Sequence, residues 1–450
     1  MKKFENDLSK GNVVKQLIKF SIPFLISNLI QTLYSVADMV IVGRYAATTS
    51  MSGVANGSQV QFMITNMVMG FTVGGTVLVA QYLGIGNRKA MKETISTLFT
   101  TLLIVAVVIT ALMIFTMDPL LRLIQTPAEA FSETRAYFFV TTLGTVFIFG
   151  YNALSAVMRG MGDSKNPLYF VAVACIVNVG LDLLLVAKYG MGAGGAAIAT
   201  VVSQAISMIL CVIYLKKNGF IFDFKLRSFK FYKDRFDLLL KIGIPTSAQN
   251  AIVSVSFLFL TALANTFGVS ASAAVGAVSK LNSFAILPTV AVSASVSAMS
   301  AQNIGAKQIR RAVQTLKTGI IFSLGISFVI FLIMRIFPEE CLNMFGEDKE
   351  MIRCGVEYLS AISYDYLLVP FVFCLNGLFI GAGHTKFSFI NSASASLFIR
   401  IPACYFLGVF LNKGLYGLGL GAPLASTFGV LMGVIFFLSK KWMRAVIVKE

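Results

Sequence analysis

The chain has 450 residues, 57% of them hydrophobic and only 13% charged, with 37 Lys and Arg against 20 Asp and Glu. An average soluble domain is about one-quarter charged, so this composition excludes a soluble globular protein and a disordered one, and the single His argues against a His-based metal centre. The net charge of +17 does not point to nucleic acid, because the basic residues sit between apolar runs, where they act as orientation signals.

The opening stretch, MKKFENDLSKGNVVKQ, is polar and leads into an apolar run too long for the hydrophobic part of a cleavable signal, so no such signal is expected. Twelve mostly apolar runs follow, at 14–42, 52–83, 92–116, 131–160, 166–187, 193–217, 236–267, 272–304, 311–336, 350–382, 386–411 and 420–443. Each reaches the roughly 20 residues a helix needs to cross a bilayer, and several exceed it, so tilt or bending is expected. The runs are continuous rather than alternating, which disfavours a β-barrel. The predicted class is an all-α polytopic membrane protein of twelve transmembrane helices in two six-helix bundles.

With both termini placed in the cytoplasm, inner segments and inner span ends collect 27 of the 37 Lys and Arg, outer loops and outer span ends eight, and the span interiors two, Lys280 and Arg400. The longest inner connection, around 216–237, mixes Lys and Arg with Phe and Tyr, and suits an amphipathic segment lying against anionic lipid. It divides an N-lobe, 1–217, from a C-lobe, 236–450, with 218–235 as linker. The lobes repeat. Pro23 and Asn28 recur as Pro245 and Asn250, Gln81 and Gly84 as Gln302 and Gly305, and Gly160, Gly162 and Lys165 as Gly381, Gly383 and Lys386. With six spans in each, the halves start on the same side, which predicts a pseudo-two-fold along the membrane normal.

The six cysteines form no C-x-x-C; four read as small buried hydrophobes, and a disulfide between Cys341 and Cys354 stays open. There is no G-x-x-x-x-G-K-[ST] loop, and His384 has no second His to work with. No enzyme activity and no cofactor are therefore expected, and active transport would have to draw on an ion gradient.

Charge inside the spans is the informative feature, since a central charge costs at least about 2.5–3.5 kcal/mol on insertion scales. Asp38 in the first span and Asp182 in the fifth both fall roughly 6–8 Å below the outer boundary at 1.5 Å per residue. Asn178 lies one turn before Asp182, and Thr200 enters at a similar depth on the sixth span. Two carboxyl groups in a dry pocket cannot both ionise cheaply, which makes a proton site; with amide and hydroxyl oxygens added, the same set also suits Na⁺. In the C-lobe the intramembrane charges are Lys280, Asp365 and Arg400, with Asp365 expected to pair with Lys280 or Arg400. Gln249, Asn250 and Asn282 are candidate polar contacts of a substrate cavity, against the alternative of close helix packing through small residues. Pro23, Pro245, Pro288, Pro370, Pro402 and Pro423 fall inside spans and permit bends; Pro23, fifteen residues before Asp38, is the candidate hinge.

The segment Leu33-Tyr34-Ser-Val-Ala-Asp38-Met-Val-Ile-Val-Gly43-Arg44 resembles the MATE (multidrug and toxic compound extrusion) transporters of the prokaryotic DinF-like or MepA-like type. The likeness extends through GIGNRKA, RGMGDSKNP and Asn178-Val-Gly-Leu-Asp182 to the Tyr-Gly-x-Gly entry of the sixth span. It implies a V-shaped pair of helical bundles in a prokaryotic inner membrane, working as a monomer. It also implies export of amphiphilic, often cationic compounds, with the coupling ion bound at Asp38, Asn178, Asp182 and Thr200. The NorM-like branch places acids on the seventh and tenth spans; here the aligned positions, near Val253 and Val369, are apolar, which moves the expected ion site to the N-lobe. A flippase for lipid-linked saccharides, from the same broad superfamily, is the alternative, and would need a basic cavity built around Lys280 and Arg400. A major-facilitator architecture is disfavoured because LGIGNRKAMKE lacks the Asp its second inner loop usually carries. A membrane scaffold without transport would leave Asp38 and Asp182 dispensable.

Overall fold

The computed structural model describes residues 5–443; the extreme ends of the two expected lobes, 1–4 and 444–450, lie outside the described residues. The first half runs through α1 (Val13–Tyr45), α2 (Thr48–Ile85), α3 (Arg88–Leu123), α4 (Phe131–Leu143), α5 (Thr145–Gly160), α6 (Lys165–Asp182) and α7 (Gly192–Lys217). The second follows as α8 (Lys233–Asn265), α9 (Val269–Gly305), α10 (Ile309–Ile336), α11 (Pro338–Asn343), α12 (Lys349–Ile362), α13 (Asp365–Gly381), α14 (Thr385–Ser394), α15 (Ile401–Tyr405) and α16 (Gly414–Leu438). Long apolar helices are what lipid requires, because every backbone N–H and C=O must find its partner within the segment. Among the described residues ten helical stretches are long and apolar enough to cross a membrane, or twelve when each of two bent pairs counts as one span. The protein is an all-helical, multi-pass membrane protein.

The sharp bends do not fall on the prolines. Helices α4 and α5 meet at 49°, and α12 and α13 at 48°. The first break is at Gly144, where a Cβ would run into the side chain of Val201 on α7. The second is at Ser363 and Tyr364, at the corresponding place of the repeat. Helix α1 by contrast continues through Pro23, and α8 through Pro245. Three short stretches widen to π-helix, at Leu183–Lys188, Ala395–Arg400 and Phe406–Phe410. Such widening is rare and is found mostly at functional sites.

The chain divides into two compact units: Met1–Asp7 with Ile22–Gly243, and Leu8–Ser21 with Ile244–Glu450. Against the expected lobes, residues 8–21 group with the second unit and 236–243 with the first. Two of the crossing points fall one residue before Pro23 and Pro245.

In the first unit α2 packs on α3, α4, α5 and α7, and one core gathers Ile41, Val42, Val54, Tyr137 and Val186 with the alanines at the start of α7. The connection before α8 folds back onto α3. Phe220 and Phe222 are buried, and the Phe222 ring meets Phe99 edge-on at 5.4 Å. Ser96 Oγ donates to the Ser228 carbonyl at 2.7 Å and accepts from the Lys230 amide at 2.8 Å. Arg235 pairs with Glu93 at 3.0 Å and donates to the Tyr82 hydroxyl at 2.7 Å. The Phe side of this connection is thus turned into protein, while Lys225, Leu226 and Arg227 remain exposed.

In the second unit α9 packs on α10, α12 and α13, and α16 on α12, α13 and α15. Leu8, Val13, Leu17 and Phe20 join a core with Val292, Val296, Leu378, Phe379 and Trp442. Arg311 donates to the carbonyls of Lys10 and Gly11 and to Gln16 Oε1, which fixes this early segment. All six cysteines are free thiols, so the disulfide left open between Cys341 and Cys354 is not formed.

Candidate functional site

The site in the first unit begins with α1. Asp38 stands seven residues before the end of this helix and is 6% exposed, although the outer face of α1 is apolar and open. On α6, Asn178 and Asp182 sit one turn apart at the C-terminal end, 1% and 0% exposed. Asp182 is the last residue before the π-widening at Leu183–Lys188. The carboxyl groups of Asp38 and Asp182 lie within hydrogen-bonding reach of each other. One proton between them satisfies both. With both ionised, Asp38 Oδ1 and both Asp182 oxygens are buried without a donor, next to an Asn178 amide that also has no partner. Such an arrangement is costly unless a positive ion or a proton sits there.

Three residues not singled out from the sequence complete the cluster. The Tyr34 hydroxyl lies beside Gln204 on α7, in the field of both aspartates. The Tyr137 hydroxyl lies beside Thr200, and it too is in the field of Asp38 and Asp182. Tyr34 stands one helical turn before Asp38, a spacing readable in the sequence. Tyr137 is on α4 and Gln204 on α7, and nothing local marks them. Thr200 is thus brought to the cluster through Tyr137. Among the described residues no group of three or more His, Cys, Asp or Glu is arranged to hold a metal ion. A Na⁺ here would therefore rest on two carboxylates with the Asn178 and Thr200 oxygens.

The candidates in the second unit do not form one cluster. Gln249 donates to Ser392 Oγ at 2.9 Å, and Asn282 accepts from the Tyr366 hydroxyl. Asn250 and Lys280 are exposed. Asp365 lies beside Ser426 and in the field of Arg400 rather than of Lys280. The expected pairing of Asp365 with Lys280 or Arg400 is not made as a direct ion pair: neither cation comes within 4 Å of a carboxylate. Arg400 instead lies over the ring of Phe257, 4.7 Å from its centroid.

Each unit also carries a carboxylate at the start of its last long helix. Glu133 Oε2 accepts from the Ala193 amide at 2.8 Å, and Glu357 Oε1 from the Tyr416 amide at 3.0 Å. Each stands at the N-terminus of a helix, beside a glycine with φ +54°.

A family model, MatE, matches residues 23–184 and again 245–406. The two matches are offset by the same 222 residues as the prolines. The probable multidrug resistance protein YoeA of Bacillus subtilis (strain 168) is 28% identical over 443 residues, with 96% of each chain covered. The probable multidrug resistance protein NorM of Thermotoga maritima is 26% identical over 457 residues, covering 99% of this chain and 98% of that one. A crystal structure described as MATE in the bent conformation shares the fold, with a TM-score of 0.89 at 22% identity over 96% of this chain and 97% of that chain. With the family pattern present once in each half and relatives aligned end to end, the chain belongs to the MatE family of membrane transporters.

Proposed function

We propose that the protein is a cation-coupled antiporter that exports amphiphilic and cationic organic compounds from a prokaryotic cell, with both termini in the cytoplasm. The observation that carries this reading is the meeting of Asp38 and Asp182 inside one helical unit, away from water. Two carboxyl groups in contact hold one proton readily and two negative charges poorly, so the pair loads from the outside and unloads toward the inside. Asn178 stands one turn from Asp182, and the hydroxyls of Tyr34 and Tyr137 lie in the field of the pair. Each charge moved inward releases about 2.3 kcal/mol per 100 mV, enough for one or two ions to drive useful export. Occupancy of the pair biases the balance between outward-open and inward-open forms, with α1 flexing at Pro23. Na⁺ is the second reading, favoured by the unpartnered oxygens of Asn178 and both aspartates.

Purified protein in proteoliposomes, loaded with ethidium and given separate proton and Na⁺ gradients, tests this. Uphill movement is expected with one gradient only, and Asp38→Asn and Asp182→Asn are each expected to slow it at least about tenfold, consistent with loss of an ion site. A double amide variant that still pumps uphill would end the proposal.

A further inference from the structure

We propose that the connection between α7 and α8 is a seat for the head group of an anionic phospholipid, with Lys225, Arg227 and Lys230 facing the phosphate and Leu226 and Phe231 resting among the first acyl carbons. This holds whatever the protein transports and does not rest on the export reading.

The depth of the connection is set by α3. Residues 94–117 of that helix carry no charge, a run of 24 residues, or about 36 Å at 1.5 Å per residue, against a hydrocarbon core of about 30 Å. The start of the run therefore lies at the edge of the core. That is where the connection is fastened. Ser96 Oγ donates to the Ser228 carbonyl and accepts from the Lys230 amide, and Thr97 Oγ1 accepts from the Tyr232 amide at 3.2 Å.

Its direction is set by the same helix. Ile104, Val108, Leu112 and Phe115 are exposed along one face of α3, which on a membrane-spanning helix is the face turned to acyl chains. Thr100 stands one turn before Ile104, and its Oγ1 reaches the Lys230 carbonyl at 3.5 Å. The connection thus closes the end of a lipid-facing stripe, and what it turns outward meets the border of the leaflet.

What it turns outward is selective. Phe224 stacks on Phe99 and Phe220, which keeps these rings on the protein side. Lys225, Arg227, Lys230 and Phe231 are exposed, and Leu226, between two cations, is 91% exposed. Seven Lys and Arg stand against three Asp between 216 and 237, so the surplus is positive. Asp223, the acid nearest the tip, is turned to backbone, its Oδ1 accepting from the Lys225 amide at 3.3 Å. Apolar side chains set among cations at the edge of the core suit a segment lying in the interface, and each cation there attracts anionic head groups.

A reporter at the tip tests this. The chain has one tryptophan, Trp442, and it is buried, so wild-type emission serves as background. Full-length Leu226→Trp is reconstituted in phosphatidylcholine vesicles with rising fractions of brominated phosphatidylglycerol or of brominated phosphatidylcholine. The fraction giving half-maximal quenching is expected to be about fivefold lower for the anionic lipid, the size of one cation's attraction at a membrane surface. Adding Lys225→Gln, Arg227→Gln and Lys230→Gln should bring the two lipids within twofold. Phe231→Trp is a second reporter, with the same result expected. Absence of quenching by either lipid, equal quenching by both, or a preference that survives the three Gln substitutions overturns the proposal. So does a preference removed by sodium phosphate but not by sodium chloride of equal ionic strength, which would assign these cations to a free anion.

Discussion

Asp163 shows how a single carboxylate can be held in a hostile place. It sits in the turn between α5 and α6, 2% exposed, and its Oδ1 accepts from the amides of Lys165 and Asn166, both at 3.1 Å, while Oδ2 accepts from Asn166 Nδ2 at 2.6 Å. Burial pushes its pKa up, and the hydrogen bonds from Asn166 and Lys165 only partly offset this. The folded chain therefore holds the Asp163 proton more tightly than the unfolded chain. Its contribution is most favourable below the ordinary carboxylate value and is lost as the pH rises through the raised native value. A melting series in detergent between about pH 4 and 7 should show wild type losing stability relative to Asp163→Asn as the pH rises. A constant difference across that range would contradict this. At the same scale, Tyr34 and Tyr137 explain why the carboxylate cluster was only half legible. Asp38, Asn178 and Asp182 announce themselves as polar groups in apolar runs. A tyrosine in such a run looks like any other large apolar residue until the helix facing it is known.

The elements carry the repeat more faithfully than the side chains do. Gly192 and Gly414 each take φ +54° at the start of the last helix of their halves, and each faces a carboxylate from a span four or five helices into its half. A Cβ at Gly192 would meet Glu133 Oε2 at 2.6 Å, so only glycine lets the carboxylate reach the amide behind it. Negative charge at a helix N-terminus is favourable, and the orphan amide is satisfied at the same time. Glu133→Ala and Glu357→Ala are each expected to cost about 1 kcal/mol, the usual size for a lost cap, read as a lower melting temperature with ligand affinity retained. A melting point unchanged in both would show that the contacts contribute little. The span positions followed from apolar run lengths, and the repeat from matched landmarks. The bends did not follow. Proline marks a lost hydrogen bond, but α1 and α8 continue past Pro23 and Pro245 as single helices. At the first sharp break Gly144 approaches Val201 on α7 more closely than a residue with a Cβ could, a packing feature that no local pattern reveals.

At the scale of the molecule, the division of labour is asymmetric on a symmetric frame. The first unit holds a carboxylate pair with hydroxyl and amide neighbours; the second places the Arg400 guanidinium over Phe257 and leaves an Asp365 oxygen without a donor. Twelve spans in two similar halves were readable from the sequence because lipid enforces length and apolarity on every crossing segment. The exchange of segments between units was not, because residues 8–21 look like the start of any first span.

That exchange sets an order of events during synthesis. Leu8, Val13, Leu17 and Phe20 leave the ribosome first, yet the surface that buries them includes Val292, Phe379 and Trp442, the last of which emerges more than 400 residues later. The opening stretch cannot complete its packing until the last residues of that core have emerged. A chain stopped after residue 438 should accordingly leave the N-terminal segment open to protease while Ile22–Gly243 stays protected, whereas the full chain resists at both places. Equal protection of Leu8–Ser21 in the shortened chain would show that the closing turn at Trp442 is not what finally seals the beginning of the polypeptide.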